Sequence, residues 1–167
     1  MTQDEVNQVF TYKDGVLYWK CRPGNNQDKV GKPAGTFNKA LNRVKIQYKG
    51  KIYGAHQLIF LMFHGHVPKV IDHIDRDPMN NRVENLRKAT FSGNAQNARV
   101  RKDNASGVKN VCWHKRISKW GVAVSKNRKI HHFGYYDNLE LAELVALEAR
   151  DKLHGKFAYL EYAAWVS

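Results

Sequence analysis

The chain has 167 residues, of which 43% are apolar, and a formal net charge of +13. This composition is typical of a folded protein and excludes a disordered tail. The longest apolar run, residues 58–63, is far shorter than the roughly 20 residues that span a bilayer, which excludes a membrane span. The first ten residues lack a charged start followed by an apolar core, so we expect an intracellular protein. The two cysteines lie far apart and predict neither a disulfide framework nor a structural zinc site.

Positive charge is concentrated in two blocks. Residues 13–53 hold ten basic and two acidic side chains, and residues 95–132 hold ten basic and one acidic. Residues 137–161 instead hold six acidic and three basic side chains. Clustered Lys and Arg attract polyanions because each phosphate contact releases counterions. We therefore expect a nucleic acid partner, the alternative being solvated lysine on an ordinary surface.

The first half of the chain reads as hairpins, a helix and two short strands. Between residues 10 and 53, alternating apolar runs separated by Gly-, Pro- and Asn-rich segments predict small antiparallel hairpins. The segment AHQLIFLMFHG at 55–65 is apolar on every side and predicts a short buried helix. Strands over 70–73 and 86–89 follow, joined by a loop in which Asn80 and Asn81 are predicted turn residues. A helix begins near Ser92, with Thr90 or Ser92 as its N-cap.

The second half predicts a linker, three strands and a helix. Residues 101–106 form the linker, and the runs GVKNVCWHKR, KWGVAVSKN and KIHHFGYY predict strands. Asp137 and Glu140 have capping-box spacing, and Gly155 fits the C-terminal cap. The predicted apolar stripe of this helix consists of Leu141, Leu144, Val145, Ala149 and Leu153.

These elements predict an α+β fold with four parts. They are an N-terminal β region at 1–53, a central strand–strand–helix unit at 54–100, the linker at 101–106, and a C-terminal unit at 107–167 in which a three-stranded sheet packs on one helix.

The segment VIDHIDRDPMNNRVENL, residues 70–86, gathers acids and amides in an otherwise basic chain. Hydrolysis of a phosphodiester needs a base that activates water and a positive charge beside the phosphate. Asp72 offers a hard oxygen to an ion such as Mg²⁺ or Mn²⁺, and Asn94 offers a second oxygen through its amide. His73 can be the base, and the Asn85 carbonyl on the return strand is suited to hold the other ring nitrogen of His73.

The pattern DH…N…N in a strand, strand, helix context resembles the HNH nuclease family, whose fold is a ββα-metal motif. About forty residues, from AHQLIF to GNAQN, match the form found in phage and intron-encoded homing endonucleases. The resemblance implies that Asp72 and Asn94 bind the metal ion. It also implies that His73 is the general base and that Asn85 orients it. Asn97, one turn further along the same helix, is a rival metal ligand.

The C-terminal part carries a second resemblance, spread over about fifty-five residues. KW at 119–120, FGYYD at 133–137 and HGKFA at 154–158 are similar to the DNA-binding domain of plant ethylene-response factors, also called Apetala-type domains. In that domain a three-stranded sheet, backed by a helix, lies in the major groove. This chain has Lys and His at several strand positions where the plant domains have Arg. Base specificity is therefore not carried over, because Arg reads guanine with two hydrogen bonds and Lys does not do so equally.

The sequence thus predicts a site-specific, metal-dependent endonuclease that nicks one strand of double-stranded DNA. We expect it to act as a monomer, since the sequence has no heptad pattern for a dimeric zipper. We expect it to act in the cytoplasm of a bacterial or phage-infected cell. The alternatives are a non-catalytic DNA-binding regulator that keeps an HNH-like core, and an RNA-binding structural protein. Basic and aromatic residues predicted to contact DNA are Arg43, Lys45, Arg82, Arg87, Arg99, Trp113, Lys115, Arg116, Trp120, Arg128 and Lys129.

Overall fold

A computed structural model of the chain describes residues 1–21, 27–101 and 103–158. Helices and antiparallel sheets alternate along it, which confirms the predicted α+β class. The chain divides into two units, Met1–Ala89 and Thr90–Ser167. The division into four parts that the sequence predicts was based on expected functions, and it stays a prediction. Among the described residues, no helix is long and apolar enough to cross a membrane.

The first unit combines two helices, a hairpin, a three-stranded sheet and a two-stranded ribbon. All strand pairs are antiparallel, in the orders β1–β2, β3–β4–β5 and β6–β7. The bounds are α1 (Gln3–Val9), β1 (Phe10–Lys13), β2 (Val16–Trp19), β3 (Thr36–Asn38), β4 (Arg43–Tyr48), β5 (Lys51–Gly54), α2 (Ala55–His64), β6 (Ile71–His73) and β7 (Leu86–Lys88).

Helix α2 lies at the centre of the core of this unit. Leu58 and Ile59 are almost fully buried, in one cluster with Val6 of α1, Leu17 of β2 and Ile46 of β4. Burying side chains of this size stabilises the unit by roughly 1.5–3 kcal/mol each. The predicted buried helix is therefore present, and its rigid packing fixes where the chain leaves it toward the β6–β7 ribbon.

Helix α1 was not among the predicted elements. Its N-cap is Thr2, whose hydroxyl accepts a hydrogen bond from the Glu5 N–H at 3.2 Å, while the Glu5 carboxylate accepts one from the Thr2 N–H at 3.0 Å. This capping box is visible in the sequence as TQDE, which is a helix-start signal. The apolar residues that follow it, Val6 and Val9, are buried.

The described residues of the second unit form two α-helices and one sheet. Their bounds are α3 (Phe91–Asn97), β8 (Val111–His114), β9 (Lys119–Lys126), β10 (Lys129–Tyr136) and α4 (Leu139–His154). The sheet has β9 in the middle, and Val111 and Val122 form a buried cluster with Ala142 and Ala146 of α4. Thr90, one of the two predicted N-caps, accepts a hydrogen bond from the Gly93 N–H at 3.0 Å. Both cysteines are free.

The N-cap predicted for α4 was wrong, and its predicted apolar stripe was wrong in part. Its N-cap is Asn138, whose side chain accepts hydrogen bonds from two N–H groups of the first turn, whereas Asp137 pairs with Lys119 at 3.1 Å. The predicted stripe is right only in part. Ala149 is buried and Val145 packs against the buried cluster, whereas Leu141 and Leu144 are about half exposed and Ala142 and Ala146 are buried instead. Alanines let the helix approach the sheet closely, so small side chains rather than leucines cover it.

Candidate active site

Strand β6 holds Asp72 and His73 at consecutive positions, and both are buried in the first unit. Their exposed fractions are 3% and 6%. On the paired strand β7, Arg87 lies opposite Asp72 and Leu86 lies opposite His73. A buried carboxylate and a buried imidazole each need polar partners, because an uncompensated polar group in the interior is costly. Each of the two side chains has such a partner.

The partner of Asp72 is the guanidinium of Arg87. Its Nε and Nη2 both donate to Asp72 Oδ2, at 2.8 and 2.7 Å. The Arg87 side chain is 16% exposed, so the ion pair lies just below the surface. Charge-assisted hydrogen bonds of this length are among the strongest in proteins. Arg87, predicted as a DNA contact, therefore neutralises the predicted metal ligand in this structure.

The partner of His73 is Asn81, which the sequence analysis treated as a turn residue. His73 Nε2 lies 3.0 Å from Asn81 Oδ1, and the Asn81 Nδ2 donates to the Met79 carbonyl at 3.3 Å. The second bond fixes the amide with its oxygen toward the histidine. Since an oxygen acceptor requires a donor, this geometry assigns a proton to Nε2, and a neutral ring would then carry its lone pair on Nδ1. Asn81 is 4% exposed, but no sequence signal distinguishes it from Asn80.

The loop between the two strands is built on Asp75. Its Oδ1 accepts hydrogen bonds from the Asp77 N–H and from Asn85 Nδ2, both at 2.8 Å, and its Oδ2 accepts one from Asn80 Nδ2 at 2.6 Å. Burial alone raises the pKa of Asp75, but these hydrogen bonds outweigh it and lower the pKa. The carboxylate therefore stays ionised and holds the loop closed.

Asn85 acts on this loop. Its side-chain oxygen accepts the Asp75 N–H at 3.0 Å, and its backbone carbonyl accepts the Ile74 N–H at 2.9 Å. The observed contact to His73 is made by Asn81, so a direct orienting role of Asn85 stays a prediction. Asn85 nevertheless stabilises the segment from which Asn81 reaches His73.

The β1–β2 hairpin supports the same segment from outside the ribbon. Tyr12 Oη accepts a hydrogen bond from the Val83 N–H at 3.1 Å. Gly15, at φ +84°, packs so closely that a Cβ on it would lie 2.9 Å from the Arg82 nitrogen and 3.1 Å from the Asn81 carbonyl carbon. Only glycine fits this position without moving the loop backbone. The N-terminal hairpin thus helps to position Asn81.

His56 of α2 lies next to the candidate base. Its ring centroid is 5.7 Å from that of His73, and only 8% of the residue is exposed. Burial, together with the nearby Arg43 and His73, lowers the pKa of His56 from 6.5 to about 4. His56 is consequently neutral at neutral pH, and the role of general base stays a prediction for His73.

The chemistry of the donors fits a Mg²⁺-class ion. Such ions prefer carboxylate and amide oxygens and are held by one or two carboxylates together with water and phosphate oxygens. Asp72 supplies one carboxylate in the first unit, while Asn94 and its rival Asn97 lie on α3 of the second unit and remain predicted ligands. Across residues 1–21, 27–101 and 103–158, no cluster of three His, Cys, Asp or Glu side chains could hold a metal ion.

Two of the predicted DNA contacts lie on the open face of the β3–β4–β5 sheet. Ile46 and Tyr48 of β4 are buried, so Arg43 and Lys45 point to the other side of the sheet. Lys45 lines a cleft of about 540 Å³ together with other polar and basic groups. Two of these, Lys29 and Lys32, were not predicted. Three lysines and one carboxylate, Asp28, line the cleft, and this excess of positive charge favours phosphate binding.

Other predicted contacts come together in the second unit. Arg99, Trp113 and Lys115 line a cleft of about 580 Å³, and Trp113, Lys115 and Arg116 line one of about 570 Å³. An aromatic ring among cations is a common arrangement at nucleic acid surfaces. The clefts therefore favour DNA contact by these residues, which stays a prediction.

The remaining predicted contacts are scattered. Arg82 is exposed on the loop of the first unit, and Arg128 and Lys129 are exposed at the turn between β9 and β10. Trp120 packs against the buried cluster of the second unit, which favours a packing role over direct contact with DNA. All four stay predictions.

Comparison with known proteins agrees with this geometry. The model of the HNH endonuclease family matches residues 53–96, which include β6, the loop, β7 and most of α3. Over 96 residues the chain is 38% identical to Protein 3.8 of Escherichia phage T7, covering 56% of this chain and 78% of that protein. The chain belongs to the family of Protein 3.8 and carries an HNH endonuclease domain. The family implies a nuclease with a nucleic acid substrate, but the name Protein 3.8 states no activity. No solved structure matches the chain.

Proposed function

We propose that this HNH protein is a site-specific, divalent-metal-dependent endonuclease that nicks one strand of double-stranded DNA, as homing endonucleases do. The observation that carries the proposal is the buried Asp72–His73 pair in which His73 is bound through Nε2 to Asn81. A histidine whose Nε2–H is held by an amide oxygen keeps a basic Nδ1, which is the arrangement of a general base. A regulator that only binds DNA does not need this arrangement.

In the proposed mechanism, His73 Nδ1 takes a proton from the water that attacks phosphorus. Asn81 holds the ring and stabilises the imidazolium that forms, because its oxygen faces Nε2–H. His56 stays neutral beside it and provides no competing charge. Asp72 would hold the divalent ion, which would supply positive charge that stabilises the transition state. Asn94 remains the predicted second ligand.

Cleavage of supercoiled plasmid carrying the target tests this proposal. Nicked circles should form with Mg²⁺ and be absent with a chelator. His73→Ala should lower the rate by about 10²–10⁴-fold and leave DNA affinity nearly unchanged, since a base acts in the transition state. His66→Ala, which removes an exposed histidine of the same unit, is the matched control. Cleavage by His73→Ala at the parent rate, or without any metal, would contradict the assignment.

The strand outcome follows from the number of active sites. One chain supplies one Asp72 and one His73, which is enough for one attack on one strand. We therefore propose a monomer that leaves open circles with little linear product. Prompt linear product at equimolar protein, together with a dimer by light scattering, would contradict this part of the proposal.

DNA affinity is proposed to depend on the basic side chains of the second unit. Replacing Lys115, Arg116 and Arg128 together by Ala should weaken binding and lower the salt dependence by about one unit of slope for each phosphate that is no longer neutralised. Weaker binding with unchanged salt dependence would place the phosphate-binding side chains elsewhere. Intact DNA binding without cleavage in any metal would favour the alternative, a non-catalytic regulator.

A further inference from the structure

Asp72 and Arg87 form a cross-strand ion pair at the point where the proposed endonuclease needs its metal ion. The two residues are directly opposite each other in the β6–β7 ribbon, and two nitrogens of Arg87 bind the same oxygen, Oδ2. A divalent cation and this guanidinium thus need the same negative charge. Both cannot be bound to it at full strength.

Arg87 also has the properties of a phosphate ligand. Its side chain is partly exposed, so it can reach solvent by changing rotamers. A guanidinium binds carboxylate and phosphate with the same planar arrangement of donors. A DNA phosphate close to the ribbon therefore competes with Asp72 for Arg87, just as the metal ion competes with Arg87 for Asp72.

We propose that Arg87 is a positioning residue that exchanges between Asp72 and a substrate phosphate, so that the free protein binds its divalent ion weakly and DNA binding exposes the carboxylate. This inference rests on the proposed function. It links the two ligands through one side chain, and linkage of this kind is reciprocal: DNA strengthens metal binding by the same factor by which metal strengthens DNA binding.

Titration calorimetry with Mn²⁺ alone tests the first half of the proposal. Arg87→Gln should bind Mn²⁺ at least tenfold more tightly than the parent protein in the absence of DNA, because the competing cation is gone. Arg82→Gln is the matched control, since it removes an exposed arginine from the adjoining loop and should not change Mn²⁺ affinity. Asp72→Asn should abolish the effect of Arg87→Gln. Equal or weaker Mn²⁺ binding by Arg87→Gln overturns the proposal.

The second half is tested with a target duplex and proteins that also carry His73→Ala, which prevents cleavage. The duplex should raise Mn²⁺ affinity at least fivefold when Arg87 is present and leave it unchanged in Arg87→Gln. An equal rise in both proteins overturns the exchange. If the parent protein cleaves DNA but Arg87→Gln does not bind Mn²⁺ more tightly, only this inference is disproved. If Arg87→Gln binds Mn²⁺ more tightly but the parent protein does not cleave DNA, only the proposed function is disproved.

A measurement on proteins that keep Arg87, the parent and its His73→Ala variant, avoids the risk that Arg87→Gln does not fold. The side-chain Nε–H signal of Arg87 in a nitrogen-15 NMR spectrum is assigned by its loss in Arg87→Lys. In the free protein it should exchange slowly with solvent, as a group bound to a carboxylate does. Adding Mg²⁺ and duplex to the uncleaving protein should shift it to a phosphate-bound position. An unchanged signal with both ligands bound overturns the proposal.

Discussion

The buried histidine of α2 makes the stability of the first unit depend on pH. His56 is 8% exposed, and its pKa is lowered from 6.5 to about 4 by burial, by Arg43 and by His73. In the unfolded chain the ring gains a proton below about pH 6.5, whereas in the folded unit it stays neutral to about pH 4. The unfolded state therefore binds more protons within this window, and the free energy of unfolding falls as the pH falls.

The expected size follows from the two pKa values. A lowering from 6.5 to about 4 corresponds to roughly 3 kcal/mol at full protonation of the unfolded chain. About 2 kcal/mol of this is lost between pH 7 and pH 4.5, because the unfolded ring is then almost fully charged while the folded ring is still mostly neutral. Above about pH 7 the contribution of His56 no longer changes.

Urea unfolding at several pH values measures this effect. The methyl NMR signals of Leu58 and Ile59 report the first unit, since both side chains belong to its core. Other titrating groups cancel when the pH dependence of His56→Gln is subtracted from that of the parent, and the difference should be about 2 kcal/mol between pH 7 and pH 4.5. His131→Gln, which removes an exposed histidine, should leave the pH dependence unchanged. A difference that stays constant from pH 7 to pH 4.5 would refute the reasoning.

Three further pairs of substitutions test the site and the corrected helix face. Asn81→Ala should lower the single-turnover cleavage rate about 10–100-fold and leave DNA affinity intact. Asn81→Asp keeps an acceptor for His73 Nε2 and should therefore retain more of the rate. Equal losses of rate in the two variants would contradict the role of the Asn81 oxygen. Gly15→Ala should slow cleavage and destabilise the first unit by more than about 1 kcal/mol. Gly31 also has a positive φ but lies in open space, so Gly31→Ala should lower the stability only through backbone strain and should leave the cleavage rate unchanged. Ala146→Leu should destabilise the second unit by about 1–3 kcal/mol, because the larger side chain overpacks the buried face. Leu144→Ala, at an exposed position, should destabilise it by less than about 1 kcal/mol. If thermal unfolding shows the larger loss of stability for Leu144→Ala, the helix face predicted from the sequence is the correct one.

Local signals explain why the central elements could be predicted. The run from Ala55 to His64 is long and apolar enough to favour a buried helix, and the strands around Asp72 and Arg87 are bounded by turn residues. Thr90 shows its capping role by its type and its place before the helix. Each of these features depends on neighbours within a few positions, which is the range over which sequence patterns are informative.

The interactions that complete the site could not be predicted from the sequence. Some join residues that are far apart in the chain, and others involve one of two neighbouring residues that are equally suited to the role. Asn80 and Asn81 are adjacent residues of one type, yet one bonds to Asp75 and the other to His73, because the loop is folded by the Asp75 network. Tyr12 reaches Val83 across 71 positions, which no local pattern indicates. At α4, Asp137 and Asn138 are both good N-caps, and the choice of Asn138 does not follow from propensity alone.

The acids and amides between residues 70 and 86 divide into two roles that explain their presence in so basic a chain. Asp75 and Asp77 accept hydrogen bonds from loop N–H groups, so their charges are used in building the loop. Asp72 is different, since it is buried in the ribbon and faces a cation. A carboxylate and a phosphate about 5 Å apart repel each other by roughly 3 kcal/mol in a partly buried setting, which is enough to weaken substrate binding more than a hundredfold. In the proposed site, Arg87 would cancel this repulsion while no ion is bound. A site that must hold a carboxylate beside DNA therefore needs a cation at every stage, and the β6–β7 register supplies one from the chain itself.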